Sequence, residues 1–310
     1  MKAVRIHAFG GPETLRYEDA PLPEPAAGEV RIRVRATGLN PVDWKIREGY
    51  LHERIPHRLP LILGWDVAGD VEALGPGVTQ VAVGDAVYAM TDIRRDGAYA
   101  EYVVVAAALV APLPASLSYQ TAATVPLVAQ TAWQALYEMV SLQAGQRVLI
   151  HGAAGGLGSM AVQLAKRKGT AVVATAAAKD VEYVQQLGAE QVIDYQSQVF
   201  EKLAGDVDVV LDTVGGQVQE RSWQVLRPGG TLLSAVQPPS AEAAATARAE
   251  GLMIHVQPSG ERLRLLSTLL DKGQLHTRIG QVFPLHEAAQ AHEQLQHGKA
   301  ARGKVVLQVA

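Results

Sequence analysis

A chain of 310 residues, 48% hydrophobic and 19% charged, is long enough for two domains and apolar enough to bury a sizeable core. Its net charge of −3, with basic residues scattered among acids, gives no footing for nucleic acid or another polyanion as partner. Cysteine is absent, which excludes disulfides, thiolate nucleophiles and cysteine-ligated zinc, and fits a reducing, cytoplasmic setting. Residues 1–11 carry Lys2 and Arg5 around no apolar core, so no signal peptide is expected there. Residues 102–137 hold no charged side chain, but Pro112, Pro114 and Pro126 break them up. A spanning helix needs about 20 apolar residues, so a buried strand and a domain junction are expected, with no membrane partner.

In chain order, residues 30–36 alternate Val or Ile with Arg, a period of two that predicts a strand with one dry face. Further strands are expected at 67–71, 86–89 and 99–105, separated by Gly-Pro-Gly and Gly-Asp turns. From about residue 119 strands and helices alternate, and 118–140 reads as helix in two pieces split at Pro126. Strands at 147–151, 171–175, 191–195, 207–212, 231–234 and 253–256 are joined by helices that include 156–168 and 180–187, closed by Gly169 and Gly188. This alternation predicts an α/β fold with a doubly wound parallel sheet of the Rossmann kind. A helix is expected beyond Glu261, then a strand at 279–283, a helix around 285–295 and a last strand at 304–309. The tail is expected to return to the first domain, giving domains of 1–122 completed by 264–310, and 123–263.

The strongest local signal is Arg147-Val-Leu-Ile-His-Gly-Ala-Ala-Gly-Gly-Leu-Gly158, between a predicted strand and a helix. Glycines there let backbone N–H groups approach a pyrophosphate, and the helix dipole favours the anion. Ala153 stands in the first place of the Gly-x-Gly-x-x-Gly spacing, with Gly155 and Gly158 in the others. Ala154, Gly155, Gly156, Leu157 and Gly158 are therefore candidate cofactor contacts. NAD binding calls for a carboxylate about 20 residues on, to hold the ribose hydroxyls. The chain has Thr175-Ala-Ala-Ala-Lys179 instead: small residues that admit a 2′-phosphate, and a lysine to neutralise it. Tyr195, ending the next strand, can bond the same group, while Asp180 would oppose it if it pointed inwards. NADPH is the expected cofactor.

None of the nine tyrosines has lysine four positions on, and the glycine loop begins only after residue 150, so a short-chain dehydrogenase is excluded. The order of domains, together with Gly38-Leu-Asn-Pro-Val-Asp-Trp-Lys45, Leu63-Gly-Trp-Asp-Val-Ala-Gly69, Gly75-Pro-Gly-Val78, Val83-Gly-Asp-Ala-Val-Tyr88, Gly97-Ala-Tyr-Ala-Glu-Tyr102, Thr131-Ala-Trp-Gln-Ala and Arg302-Gly-Lys-Val-Val-Leu307, resembles the medium-chain dehydrogenase/reductase superfamily over essentially the whole chain. That resemblance implies a β-rich, GroES-like substrate domain beside the Rossmann domain, and a homodimer. Zinc-dependent members place a cysteine at Asn40 and a histidine and an acid after Gly64, where this chain has Trp65 and Asp66. A lone Asp66 cannot hold a catalytic zinc, which needs three protein ligands, so no metal is expected. His52 and His57 are read as loop histidines.

The chain thus resembles the zinc-free quinone oxidoreductase branch, near the NADPH-dependent alkenal reductases. In that branch the Asn-Pro-Val-Asp-x-Lys segment lies beside the nicotinamide, which makes Asn40 and Lys45 candidate catalytic residues. Trp44 and Tyr50 join them as candidate substrate contacts, and Lys45, Thr131, Ser234 and Arg302 as further cofactor contacts. Without a Lewis acid, alcohol oxidation is disfavoured. A quinone or enone is already electrophilic and needs a few donors for the developing oxyanion, a role expected of Asn40 and Lys45. No general acid stands out. The alternatives are an enoyl-thioester reductase of the same fold, or a non-catalytic NADPH-binding protein.

Overall fold

The alternation of Val or Ile with Arg over residues 30–36 and the strand–helix series in the middle of the chain fall in two separate units of the computed structural model, which describes residues 1–298 and 302–309. One unit is Met1–Gln130 with Pro258–Ala310, and the other is Thr131–Gln257.

The first unit is β-rich. Its main sheet runs Ile279–Pro284, Lys304–Gln308, Glu29–Gly38, Asp66–Leu74, Ala86–Met90 and Val110–Pro112, with Tyr102–Ala106 also on Glu29–Gly38. Val30, Ile32, Val34 and Ala36 are buried, as the period of two requires. Arg31 departs from that pattern: it is buried too, held by Glu72 at 2.6 Å and Glu24 at 2.9 Å. The last strand lies antiparallel to Glu29–Gly38, pairing Val306 with Gly38 and Gln308 with Ala36. A small sheet of Lys2–Ile6, Arg16–Asp19 and Leu61–Ile62 was not foreseen, because its strands are short and mixed in character.

The Thr131–Gln257 unit is a parallel sheet in the order Gln191–Asp194, Ala171–Ala176, Arg147–Ile150, Val207–Asp212, Leu226–Ser234, Glu250–Met253. The central strands are buried along both faces, as at Val148, Leu149, Ile150, Val210 and Leu211. The chain starts in the middle, moves outward one way, then returns and moves the other way. That reversal puts a switch point at the C-terminal ends of Arg147–Ile150 and Val207–Asp212, where such sheets take their ligands.

Several boundaries differ from expectation. Residues 123–130 and 258–263 belong to the first unit. Leu127 N–H donates to Asp66 Oδ1 at 2.7 Å, and Ser259 N–H donates to Gln130 Oε1 at 2.8 Å. Gly260 lies so close to the strand backbone that a Cβ would come within 2.4 Å of Ala108 O. The strand expected at 253–256 runs Glu250–Met253, where register with Thr231–Ser234 holds it. The uncharged run of 102–137 becomes short strands, the helices Tyr119–Ala122 and Pro126–Trp133, and the start of a π-helical turn, Gln134–Met139. Among the described residues no helix is long and apolar enough to cross a membrane.

Candidate active site

In the Thr131–Gln257 unit the glycine loop leads into the helix Gly156–Arg167, whose N-terminus has no side-chain cap. Its first N–H groups therefore need another acceptor. Gly155 is exposed, and a Cβ there would meet one atom, Gly152 O at 3.2 Å. Gly158 is buried, and a Cβ there would lie 2.3 Å from Gly152 O and 2.7 Å from Ala153 Cα. One glycine leaves open ground above the helix end, and the other lets helix and strand close up. Ala154, Gly156 and Leu157 are half-buried along the same loop. The cradle fits a dinucleotide pyrophosphate.

Two expected cofactor contacts, Thr175 and Ser234, turn inward to support this loop and the turn after Val207–Asp212 respectively. Thr175 is buried, accepting from Gly152 N–H at 3.3 Å and lying 3.1 Å from His151 Nδ1. His151 Nε2 is 2.9 Å from Ser222 Oγ, whose hydroxyl donates to Val218 O. Nε2 must then carry the proton, and Thr175 donates to Nδ1. Burial pushes the imidazole down to about 4, so it stays neutral. Ser234 is fully buried and donates to Asp212 Oδ2 at 3.0 Å. Asp212 Oδ1 takes Val214 and Gly215 N–H, so Ser234 orders the turn after Val207–Asp212 and has no surface for a cofactor. Thr131 is buried as well.

At the edge of the same sheet, Lys179 and Tyr195 are both exposed, and Tyr195 N–H donates to Ala176 O at 3.2 Å. The two strand ends are therefore side by side. Asp180 is buried. An acid the sequence reading passed over, Asp194, stands at this end. Ser197 Oγ at 2.6 Å and the amides of Gln196 and Ala178 stabilise its charge and hold its carboxyl below the usual range.

In the first unit, Asn40 caps the seven-residue helix Pro41–Arg47, and its backbone N–H donates to Asp43 Oδ2 at 2.8 Å. Its side chain was expected to face substrate. It is fully buried instead: Nδ2 donates to Asp66 Oδ2 at 2.8 Å, and Oδ1 accepts from the Lys304 ammonium. Lys304 Nζ also donates to Leu39 O at 2.6 Å and lies 3.5 Å from Asp66 Oδ2. Burial pulls the ammonium down and the Asp66 carboxyl up, and each charge opposes the other's shift.

The same helix carries Lys45, half-buried, with its ammonium 5.9 Å from the Trp44 ring centroid. Burial lowers its pKa, and no charged neighbour offsets the shift. Trp44 meets Tyr50 edge-on at 6.1 Å, and Tyr50 is 69% exposed. These three can still meet a ligand; Asn40 cannot. Behind them runs a buried polar chain. Arg47 donates to His292 Nδ1 at 3.0 Å, His292 Nε2 is 3.1 Å from Tyr99 OH, and Tyr99 donates to Asp43 Oδ2 at 2.8 Å. Burial drives Asp43 up to about 7 and His292 down to about 3. His57 is held by Ile93 O at 2.7 Å and His52 packs on Phe9, both as loop residues. Arg302 is half-buried near the last strand.

Residues 26–115 match the alcohol dehydrogenase GroES-like domain, and residues 187–307 match the zinc-binding dehydrogenase family. The quinone oxidoreductase of Mus musculus is 33% identical over 99% of this chain and 97% of its own. The chain belongs to the quinone oxidoreductase family of medium-chain dehydrogenases/reductases. A quinone oxidoreductase from Coxiella burnetii superposes with a TM-score of 0.91 at 35% identity, covering 100% of this chain and 99% of that one. A mycobacterial protein complexed with NADPH gives 0.89 at 30% identity, covering 99% and 100%. This family member is therefore an oxidoreductase whose fold serves a nicotinamide cofactor and a small-molecule substrate.

The zinc in the matched family's description does not fit its residues. Asn40 and Trp65 replace two ligands, an ammonium bonds Asn40 and approaches Asp66, and among the described residues no three His, Asp or Glu converge. Lys304 and Asp43 were missed as members of this site. Asp66, alone among apolar neighbours, signals a buried cation, but 28 basic residues leave the partner open.

Proposed function

We propose that this chain is an NADPH-dependent, zinc-independent reductase that delivers hydride to quinones and α,β-unsaturated carbonyls. The observation that carries the reading is an ammonium bonded to the first would-be metal ligand of a chain that keeps its dinucleotide loop. A hydride donor without a Lewis acid suits acceptors that are already electrophilic. NADPH supplies the hydride when bound. Gly155, Gly156, Leu157 and Gly158 hold its pyrophosphate, and Lys179 with Tyr195 holds the 2′-phosphate. Lys45 donates to the oxygen that gains charge, with Trp44 and Tyr50 flanking the acceptor. Asn40 acts by fixing the start of the Lys45 helix.

Purified protein should consume NADPH steadily with phenanthrenequinone and with a 2-alkenal, prolonged chelation should leave the rate intact, and ethanol with NADP⁺ should give nothing. Absence of turnover with both acceptors overturns the reaction class in favour of a non-catalytic protein. Activity lost with extracted zinc and restored by its return overturns the metal-free part.

Lys179→Ala tests the cofactor preference. A charge-assisted hydrogen bond is worth about 1.5–3 kcal/mol, so NADPH should bind roughly 10- to 100-fold more weakly while NADH binding stays level. Equal weakening of both, measured by fluorescence titration, would make the lysine structural.

A further inference from the structure

We propose that the Lys304 ammonium is the resident cation of the Asn40–Asp66 site, taking over the positioning work that a metal ion does elsewhere in the fold and thereby fixing the helix that carries Lys45. The two side chains come from different segments, one capping Pro41–Arg47 and one opening the strand Asp66–Leu74. Both are fully buried, and so is all but 7% of Lys304. The ammonium has three acceptors around it: Leu39 O at 2.6 Å, Asn40 Oδ1, and Asp66 Oδ2 at 3.5 Å. That matches the three N–H donors of a lysine.

The arrangement is closed on every side. Asp66 Oδ1 is taken by Leu127 N–H at 2.7 Å, and its backbone oxygen by Thr37 Oγ1 at 2.6 Å. Asn40 Nδ2 is taken by Asp66 itself at 2.8 Å. The amide orientation of Asn40 follows from its neighbours: the carbonyl must face the ammonium and the NH₂ the carboxylate. Remove the ammonium and the Asn40 carbonyl loses its partner, while Asp66 keeps its neutral donors but is left as a buried anion with no cation opposite it. Lys304 itself is held by the last strand, where Leu39 N–H donates to Val305 O at 2.9 Å. One residue from the C-terminal strand thus sets the start of a helix near the N-terminus. Lys304 is a positioning residue that acts through Asn40 and Asp66.

The test uses the full chain and three variants. Breaking a buried pair from one side is costly, so Lys304→Met should melt roughly 5–15 °C lower than the parent. Asp66→Asn added to Lys304→Met removes the stranded charge and lets the Asn40 amide turn to pair with Asn, so at least about half of that loss should return. Lys304→Ala leaves room for a small amine, so ethylammonium should raise both its melting temperature and its kcat, while tetramethylammonium at equal ionic strength should do neither. If Lys304→Met does not fold, the double variant and Lys304→Ala refolded with ethylammonium decide the matter.

A Lys304→Met protein that melts like the parent overturns the proposal. So does a double variant no better than the single one, or rescue by both salts alike. The proposal rests on the reductase reading only for its kcat readout. If the parent reduces no acceptor, the melting experiments still decide the Lys304 site by themselves.

Discussion

Gly155→Val should raise the dissociation constant for NADPH at least ~100-fold, about 2.7 kcal/mol, while leaving the melting temperature unchanged. Gly155 has φ −76° and ψ 172°, which any residue adopts, and a Cβ would touch Gly152 O alone, at 3.2 Å. The fold accommodates the side chain once Gly152 O gives by a few tenths of an ångström. The pyrophosphate does not, because the valine methyls occupy the ground over the uncapped helix end. Gly158→Ala should do the reverse. Its Cβ would lie 2.3 Å from Gly152 O, so the loop must shift against the helix, at a cost of about 1–3 kcal/mol and several degrees of melting temperature. Calorimetry on both variants separates cofactor approach from packing. Parental NADPH affinity in Gly155→Val would remove the loop from the cofactor site.

Loss of the Lys45 ammonium should lower kcat and kcat/KM together, by roughly 10-fold with a quinone and roughly 100-fold with an alkenal, whose enolate needs more support. Lys45 is half-buried with no charged neighbour to hold its ammonium, so its donors remain available to a substrate oxygen. Lys45→Arg keeps the charge and should keep most of the rate, whereas Lys45→Gln and Lys45→Ala should fall together. Asn40→Ala belongs to a different class. It strips a partner from both Lys304 and Asp66, so it should lower the melting temperature before it changes the chemistry. Steady-state kinetics with both acceptors would show it: unchanged kcat in Lys45→Gln would take Lys45 out of the reaction.

The parallel sheet was legible because its central strands, such as Arg147–Ile150 and Val207–Asp212, are largely apolar and because glycine closes two of its helices, at Gly169 and Gly188. The glycine loop was legible for the same local reason. Strands such as Lys2–Ile6 and Leu61–Ile62 were not, since they form by pairing with distant segments rather than by their own pattern. The residues proposed to flank the acceptor, Lys45, Trp44 and Tyr50, could be picked from a motif. The direction of a side chain could not. Thr175, Ser234 and Asn40 sit in the right segments, yet each turns inward to a buried polar partner: His151, Asp212 and Asp66. Nothing in their neighbours along the chain says so, because those partners lie 24, 22 and 26 residues away.

The distance from Asn40 to Lys304, 264 residues along the chain, also governs the order of events during synthesis. The continuous Thr131–Gln257 unit emerges whole and is free to fold on the ribosome, as domains generally do. The unit whose two segments flank it in sequence has to wait. At ~5–20 residues per second, about 10–50 s pass between the making of Asp66 and the making of Lys304. Throughout that interval the open end of Glu29–Gly38 lacks the strand that pairs Thr37 with Leu307, and the Asp66 carboxylate has no cation to accompany it into the interior. The nascent first third therefore lacks both its strand partner and its counter-charge at this corner. The strand Lys304–Gln308 brings the missing pairing and the missing charge in one piece, so the corner can close only once that strand has been made.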